Sequence, residues 1–170
     1  MAEALLRRHL GERGITACVH SAGTLPWRGS ATPFAVAVMR ERGLDLRHHR
    51  SRALTTDMVD AADLVLGMTR SHVWAVVARA PEAEPRAFLV GEAVRLGAKT
   101  GPRERHETTR RYVERLAAHR VPGHPVGRAQ DEVADPAGEP IEVYRHCADV
   151  LDAGLGPLAA LLADGAPRGA

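Results

Sequence analysis

The spacing of apolar residues along the chain predicts short strands that alternate with helices. Apolar positions recur at helical spacing over residues 2–10, and glycine follows directly. Residues 15–20 form a β-like run, while 63–68 and 87–90 are short apolar runs typical of parallel strands covered on both faces. This alternation favours an α/β fold built around a parallel sheet.

One predicted helix carries signals at both of its ends. Thr32 has the hydroxyl of an N-cap, and Pro33 suits the first helical position. Phe34 and Val38 lie on the predicted apolar face, and Gly43 supplies the stop.

Four further helices are predicted with less complete signals. Thr55 or Thr56 caps a short helix that ends at residue 61, and Ser71 caps a helix over about 73–79. A basic helix is expected over about 103–119, and a final helix over 141–162 contains two glycines and a proline in its second half.

Length and composition narrow the class of protein. The chain has 170 residues, 45% of them hydrophobic and 26% charged, which fits a single globular domain over 1–164 and a frayed tail at 165–170. A net charge of +2 gives no reason to expect nucleic-acid binding, and no apolar run is long enough to predict a membrane helix. With only two cysteines, the chain is expected to be cytoplasmic and free of disulfides.

The stretch 97–130 differs from the rest of the chain in its excess of arginine. We interpret it as a variable basic insertion. A solvated, Arg-rich helix face is favoured over a surface that binds an acidic partner.

Four stretches, in this order and spacing, resemble the low-molecular-weight protein-tyrosine-phosphatase family, which also includes arginine phosphatases and related arsenate reductases. They are Met1-Ala2-Glu3-Ala4-Leu5; Ser21-Ala22-Gly23-Thr24 with Trp27 and Gly29-Ser30-Ala31-Thr32-Pro33; His49-Arg50-Ser51-Arg52 with Asp63 to Thr69 and His72; and Asp135-Pro136-Ala137-Gly138 with Tyr144. The resemblance covers residues 1–92 and 131–162.

Membership implies a three-layer α/β sandwich with a parallel sheet in the order 2-1-3-4. It also implies hydrolysis of phosphomonoesters on protein side chains, without metal or other cofactor. In such a site a C-x5-R loop wraps the phosphate, its cysteine thiolate attacks phosphorus, and an aspartic acid protonates the leaving group.

The C-x5-R motif is missing from the chain. The sixth residue after Cys18 is Thr24, and the sixth after Cys147 is Ala153. Both cysteines are expected to be buried structural thiols. The family places its first strand and phosphate loop before the position of Met1. We therefore expect a start assigned too late, and an inactive polypeptide, rather than an evolved loss of two side chains.

Asp135 is the strongest candidate for a catalytic residue, because the resemblance makes it the general acid. The alternative is an ordinary turn-forming Asp before proline. Asp131 is either a second acid that perturbs the first or a solvated loop residue. Ala137 stands where the family often has an aromatic residue, which weakens the case for phosphotyrosine in particular.

The resemblance assigns roles to four other side chains. Trp27 matches an aromatic residue that lines the substrate crevice, although a packing role is as plausible. Ser21 matches a residue that hydrogen-bonds the phosphate loop. The alternative is an ordinary serine in a turn at the end of a strand. His49 and His72 match family positions, but structural or exposed roles are favoured for both. The spacing of the histidines indicates no metal site.

Three functions remain open at this point. The first is a phosphatase that acts on a phosphorylated protein. The second is a non-catalytic pseudophosphatase that serves as a binding module. The third is an arsenate reductase relative, which would need resolving cysteines that Cys18 and Cys147 do not resemble in placement.

Overall fold

The structure, a computed structural model, describes residues 1–25, 29–121 and 127–163. In these ranges the elements are α1 (Ala2–Gly11), α2 (Pro33–Glu41), α3 (Thr56–Ala61), β1 (Val65–Gly67), α4 (Arg70–Arg79), β2 (Ala87–Leu89), α5 (Val90–Thr100), α6 (Thr109–Ala117) and α7 (Ile141–Leu162). Short 3-10 turns lie at Pro81–Arg86 and Ala129–Asp131.

Threonine hydroxyls cap several helix starts. The hydroxyl of Thr32 accepts a hydrogen bond from the Ala35 N–H at 3.3 Å, as predicted. That of Thr55 does the same for Met58 at 3.3 Å. The expected cap at Ser71 is wrong, because Thr69 caps α4 two residues earlier.

The β1 and β2 strands pair in parallel, with Val65 opposite Ala87 and Gly67 opposite Leu89. The predicted strand at 15–20 is wrong. It joins no ladder among the described residues, and a segment becomes a strand only where a neighbouring backbone pairs with it. Cys18, on this segment, is exposed, so its predicted burial is also wrong.

The core lies where α7 packs against α1, α2 and α5. Fully buried side chains here include Leu5, Met39, Tyr112, Leu155 and Leu158. The bounds of α7 agree with the sequence prediction, and Cys147 is buried in it as expected. Phe34 is 45% exposed, so its predicted place on the buried face of α2 is wrong.

The middle of the chain departs most from prediction. The α5 helix starts directly from β2 and was not foreseen, because Gly91 and Gly97 obscure its pattern. The helix expected over 103–119 is confined to α6, since Thr108 adopts an extended backbone and caps the helix there.

One arginine ties this basic stretch to the sheet. Arg120 donates hydrogen bonds to the carbonyl of Ala87 and to the carboxylate of the buried Glu92, the latter at 3.0 Å. Its guanidinium carbon also lies 4.0 Å from the ring centroid of Phe88. Arg120 is therefore part of the core packing and not a solvated charge.

Candidate active site

The candidate site is centred on the first turn of α1. Burial chiefly raises the pKa of the Cys147 thiol; the positive Met1 amine opposes this shift and the Asp135 carboxylate adds to it. These three groups are therefore electrostatic neighbours, although Met1 and Asp135 are far apart in sequence. The Met1 amine, at the start of α1, and the Asp135 carboxylate thus both act on the same buried thiol.

Ser21 lies on another side of the same turn. Its hydroxyl donates a hydrogen bond to Glu3 Oε2 at 2.5 Å, and Arg7 pairs with the other oxygen at 2.6 Å. Burial alone would raise the pKa of Glu3, but the bond from Ser21 and the charges of Arg7 and His49 outweigh it and lower that pKa. Ser21 is thus fixed beside the helix start.

Asp135 is exposed on a turn that holds its carboxylate. One of its oxygens accepts a hydrogen bond from the Ala137 N–H at 3.0 Å, the arrangement of an Asx turn. Pro136 is buried, and Gly138 has a φ of 85°, a conformation that favours glycine. The turn directs Asp135 outward from a buried base.

Residues 132–138, which we name the acid loop, are anchored at the carboxyl end of β1. The Val133 N–H donates to the carbonyl of Met68 at 2.7 Å. Glu132 Oε1 accepts from both the backbone and the side chain of Arg70, each at 2.9 Å. In open α/β sheets this end of the strands is where ligands bind.

The residue just before the acid loop is buried. Asp131 is 6% exposed, pairs with Arg95 at 2.8 Å and accepts from the Arg128 N–H at 2.9 Å. It is therefore neither a solvated loop acid nor an acid facing Asp135. Its contacts support the base of the loop.

The other residues considered in the sequence occupy varied positions. His49 is close enough to Glu3 to lower its pKa. His72 closes the N-terminal box of α4, where its Nδ1 accepts from the Thr69 N–H at 3.3 Å. Tyr144 is buried, receives a hydrogen bond from Thr32 at 3.3 Å and meets the Phe34 ring edge-on. Trp27 lies outside the described residues.

Two partners were missed from the sequence. Glu3 stands in the first turn of α1, where acids are common, so nothing distinguished it as a partner of Ser21. The pairing of Arg70 with Glu132 joins residues 62 positions apart, which no local pattern can indicate.

Two kinds of site find no support in the described residues. No group of three or more His, Cys, Asp or Glu side chains there could hold a metal ion. No helix in the same ranges combines the length and the apolar character needed to cross a bilayer.

With this geometry in view, comparison with known proteins defines the class. The family model for low molecular weight phosphotyrosine protein phosphatase matches residues 1–99. The chain belongs to this family, which confirms the resemblance seen in the sequence.

Two relatives show how far the likeness extends. A probable low molecular weight protein-tyrosine-phosphatase, EpsP, of Ralstonia solanacearum is 38% identical over 93 residues, which is 54% of this chain and 61% of that protein. A protein-arginine-phosphatase of Bacillus subtilis (strain 168) is 29% identical over 153 residues, 89% of this chain and 80% of the relative. The chain thus matches less than two thirds of the length of EpsP.

Solved structures agree on the fold. The YwlE arginine phosphatase from Geobacillus stearothermophilus has a TM-score of 0.65 at 30% identity, covering 93% of this chain and 80% of that one. A low molecular weight protein tyrosine phosphatase from T. tengcongensis has a TM-score of 0.69 at 27% identity, covering 95% and 88%. The predicted three-layer α/β fold is confirmed.

Proposed function

We propose that this chain provides the scaffold and the general acid of a phosphoprotein phosphatase of the low-molecular-weight type. The observation that carries the proposal is the position of Asp135, which is exposed on a loop anchored at the carboxyl end of β1. We place the phosphate at the start of α1, where helix N–H groups favour an anion, and assign the role of proton donor to Asp135.

The proposed reaction has two steps and needs no cofactor. A cysteine on a phosphate loop that precedes α1 forms a bond to phosphorus as the bond to the leaving oxygen breaks, and Asp135 gives its proton to that oxygen. Water then displaces the thiolate from phosphorus, and the Asp135 carboxylate takes the proton from that water. The products are the dephosphorylated side chain and inorganic phosphate.

The chain by itself is expected to be inactive. Neither cysteine is followed six residues later by arginine. Cys147 is buried and its pKa is raised, so it remains a protonated thiol. Cys18 lies on the exposed 15–20 segment, without the arginine that would bind the phosphate oxygens.

Further roles follow from the family. Ser21, held next to α1 by Glu3, is proposed to hydrogen-bond the phosphate loop, and Trp27 to line the substrate crevice. The substrate is proposed to be a phosphorylated protein in the cytoplasm, with no role for nucleic acid or membrane. Ala137 leaves no ring to stack on a phenyl group, and the Bacillus subtilis relative is named as an arginine phosphatase.

A non-catalytic binding module is the second candidate, because the absent C-x5-R motif favours it. Translation of the genomic reading frame upstream of Met1 separates the two. A strand followed by C-x5-R-[ST]-P supports the phosphatase. An in-frame stop before any such motif supports the binding module.

The catalytic test compares this chain with the upstream-extended protein on p-nitrophenyl phosphate. Turnover is expected only from the extended protein, and robust turnover by the 170-residue chain contradicts the cysteine argument. In the extended protein, Asp135→Asn should lower kcat by about 10²–10⁴-fold on phenyl phosphate, whose leaving group needs the proton. Glu139→Gln, at an exposed acid in the same region, is the matched control and should leave kcat unchanged.

A further inference from the structure

Trp74 is the most conspicuous exposed side chain in the described part of the protein. It is 76% exposed on α4, while Val73 and Val76 of the same helix are buried. The helix does not need Trp74 for its own packing. Exposed tryptophan next to a concave surface is a frequent anchor in recognition.

Trp74 forms one wall of a groove of about 870 Å³. The groove is also lined by Thr69, Arg70, Ser71, Ala75, Ala78 and Glu132. Residues 70, 74 and 78 follow one another at four-residue spacing, so they lie on one face of α4 and span about 12 Å. Ala75 and Ala78 contribute only small side chains to the lining beside the indole.

The charges of the groove cancel at one end. Arg70 and Glu132 form an ion pair at 2.9 Å there, and the rest of the lining is apolar or hydroxyl-bearing. Such a surface suits an uncharged, extended polypeptide with an apolar side chain better than it suits a polyanion.

The groove adjoins the acid loop. Glu132 both lines the groove and begins the acid loop, and Asp135 follows three residues later. At about 3.8 Å per Cα step, the two residues are at most about 11 Å apart. At this longest separation, a bound chain leaving Asp135 would enter the groove after about three residues.

We propose that this groove binds a segment of the phosphoprotein substrate, with an apolar side chain three to seven residues from the phosphorylated residue packed against Trp74. The spacing comes from about 11 Å of approach and about 12 Å of groove, at about 3.3 Å per extended residue. The inference rests on the proposed function, because it takes the occupant of the active site to be a protein.

The test measures peptide binding and not turnover. The sequence has two tryptophans, so Trp27→Phe leaves Trp74 as the sole indole, whose N–H resonance reports binding by NMR. The probes are Gly/Ser peptides with one central tyrosine, phosphorylated or not, and one leucine moved along either side. Leucine at three to seven residues from the tyrosine, on one side, should bind about fivefold tighter than leucine elsewhere, with or without phosphate.

Two variants in the unmodified chain define the site, with binding followed by the backbone amide resonances of α4. Trp74→Ala should remove the positional preference, and its exposure means that the fold is kept. Val121→Ala changes another exposed apolar residue, 62% exposed, and should keep the preference.

Equal affinity at all leucine positions, or an unchanged preference in Trp74→Ala, overturns the proposal. Sedimentation that shows a dimer dissolved by Trp74→Ala also overturns it, because the occupant would then be a second copy of this chain. Failure of the phosphatase proposal would be seen in a different experiment, the p-nitrophenyl phosphate assay, as a lack of turnover by the upstream-extended protein.

Discussion

The hydroxyl of Ser21 donates a hydrogen bond to the carboxylate of Glu3, which joins the end of the unpaired segment 15–20 to the first turn of α1. Arg7, one turn further along α1, holds the same carboxylate. The 15–20 segment, which joins no ladder in the part of the chain that the structure describes, is thus fixed beside the first turn of α1.

This contact makes the free energy of unfolding depend on pH. The pKa of Glu3 is lowered from 4.5 in the folded state. The contribution of Glu3 to the free energy of unfolding is therefore complete above pH 4.5. It is lost as the pH falls through the lower, folded-state pKa. Ser21→Ala should bring that pKa back toward 4.5 and weaken the dependence, as followed by urea unfolding at several pH values.

Glu3→Gln is the companion variant. It removes the titrating group, so the loss of unfolding free energy at acidic pH should be smaller in this variant. The amide of Gln still accepts the hydrogen bond from Ser21. An identical pH profile in the native chain and in both variants contradicts the assignment.

The ion pair of Asp131 with Arg95 should carry much of the stability of the acid loop's base. Asp131→Ala leaves a half-buried arginine without its partner, and we expect a loss of about 3 kcal/mol in the free energy of unfolding. Asp131→Asn keeps an acceptor for the Arg128 N–H and should lose less. Glu139→Ala, at an exposed acid, should change stability by less than about 0.5 kcal/mol. A cost for Asp131→Ala no larger than this control refutes the prediction.

Gly91 permits the close approach of α5 to the same aspartate. A Cβ at this position would lie 2.7 Å from the Asp131 Cα and 3.0 Å from its carbonyl oxygen, which are backbone atoms. Gly91→Ala should therefore cost about 1–3 kcal/mol of unfolding free energy by chemical denaturation. Gly11→Ala has nothing within 4 Å and should instead stabilise α1 by about 0.5 kcal/mol. Equal effects of the two substitutions on stability would show that the contact between Gly91 and the Asp131 backbone leaves room for a side chain.

The two thiols should react at very different rates. Cys18 is exposed, whereas Cys147 is buried and its pKa is raised. Under native conditions one equivalent of iodoacetamide should be incorporated quickly, at Cys18, with Cys147 labelled only after denaturation. Cys18→Ser is the control and should abolish the fast phase. Fast labelling of both thiols, located by peptide mass spectrometry, contradicts the structure.

Local signals in the sequence predicted the features that depend on neighbouring residues. Thr32 with Pro33, and Thr55, cap the helices as expected, because capping involves atoms only three residues apart. The final helix also has its predicted bounds, since a long apolar pattern outweighs one proline at an exposed position.

Features that need distant partners could not be predicted in this way. The 15–20 run has strand-like composition, yet a strand exists only where another backbone pairs with it. The pairing of Asp131 with Arg95 could not be predicted, because Arg95 precedes it by 36 residues and lies on a helix that the sequence pattern does not predict. Asp135 could be named from its motif, but the anchoring of its loop to Met68 and Arg70 could not.

The contacts of Arg120 set a limit on how this protein can be shortened. A stretch that the sequence analysis interprets as an insertion invites removal when a minimal phosphatase scaffold is designed. Here, excision of 97–130 would remove Arg120, which donates hydrogen bonds to the Ala87 carbonyl and to Glu92. The buried carboxylate of Glu92 would then lack its cationic partner. A minimised version must retain this arginine, or replace Glu92 with an apolar residue, and must also refill the core space that Tyr112 occupies.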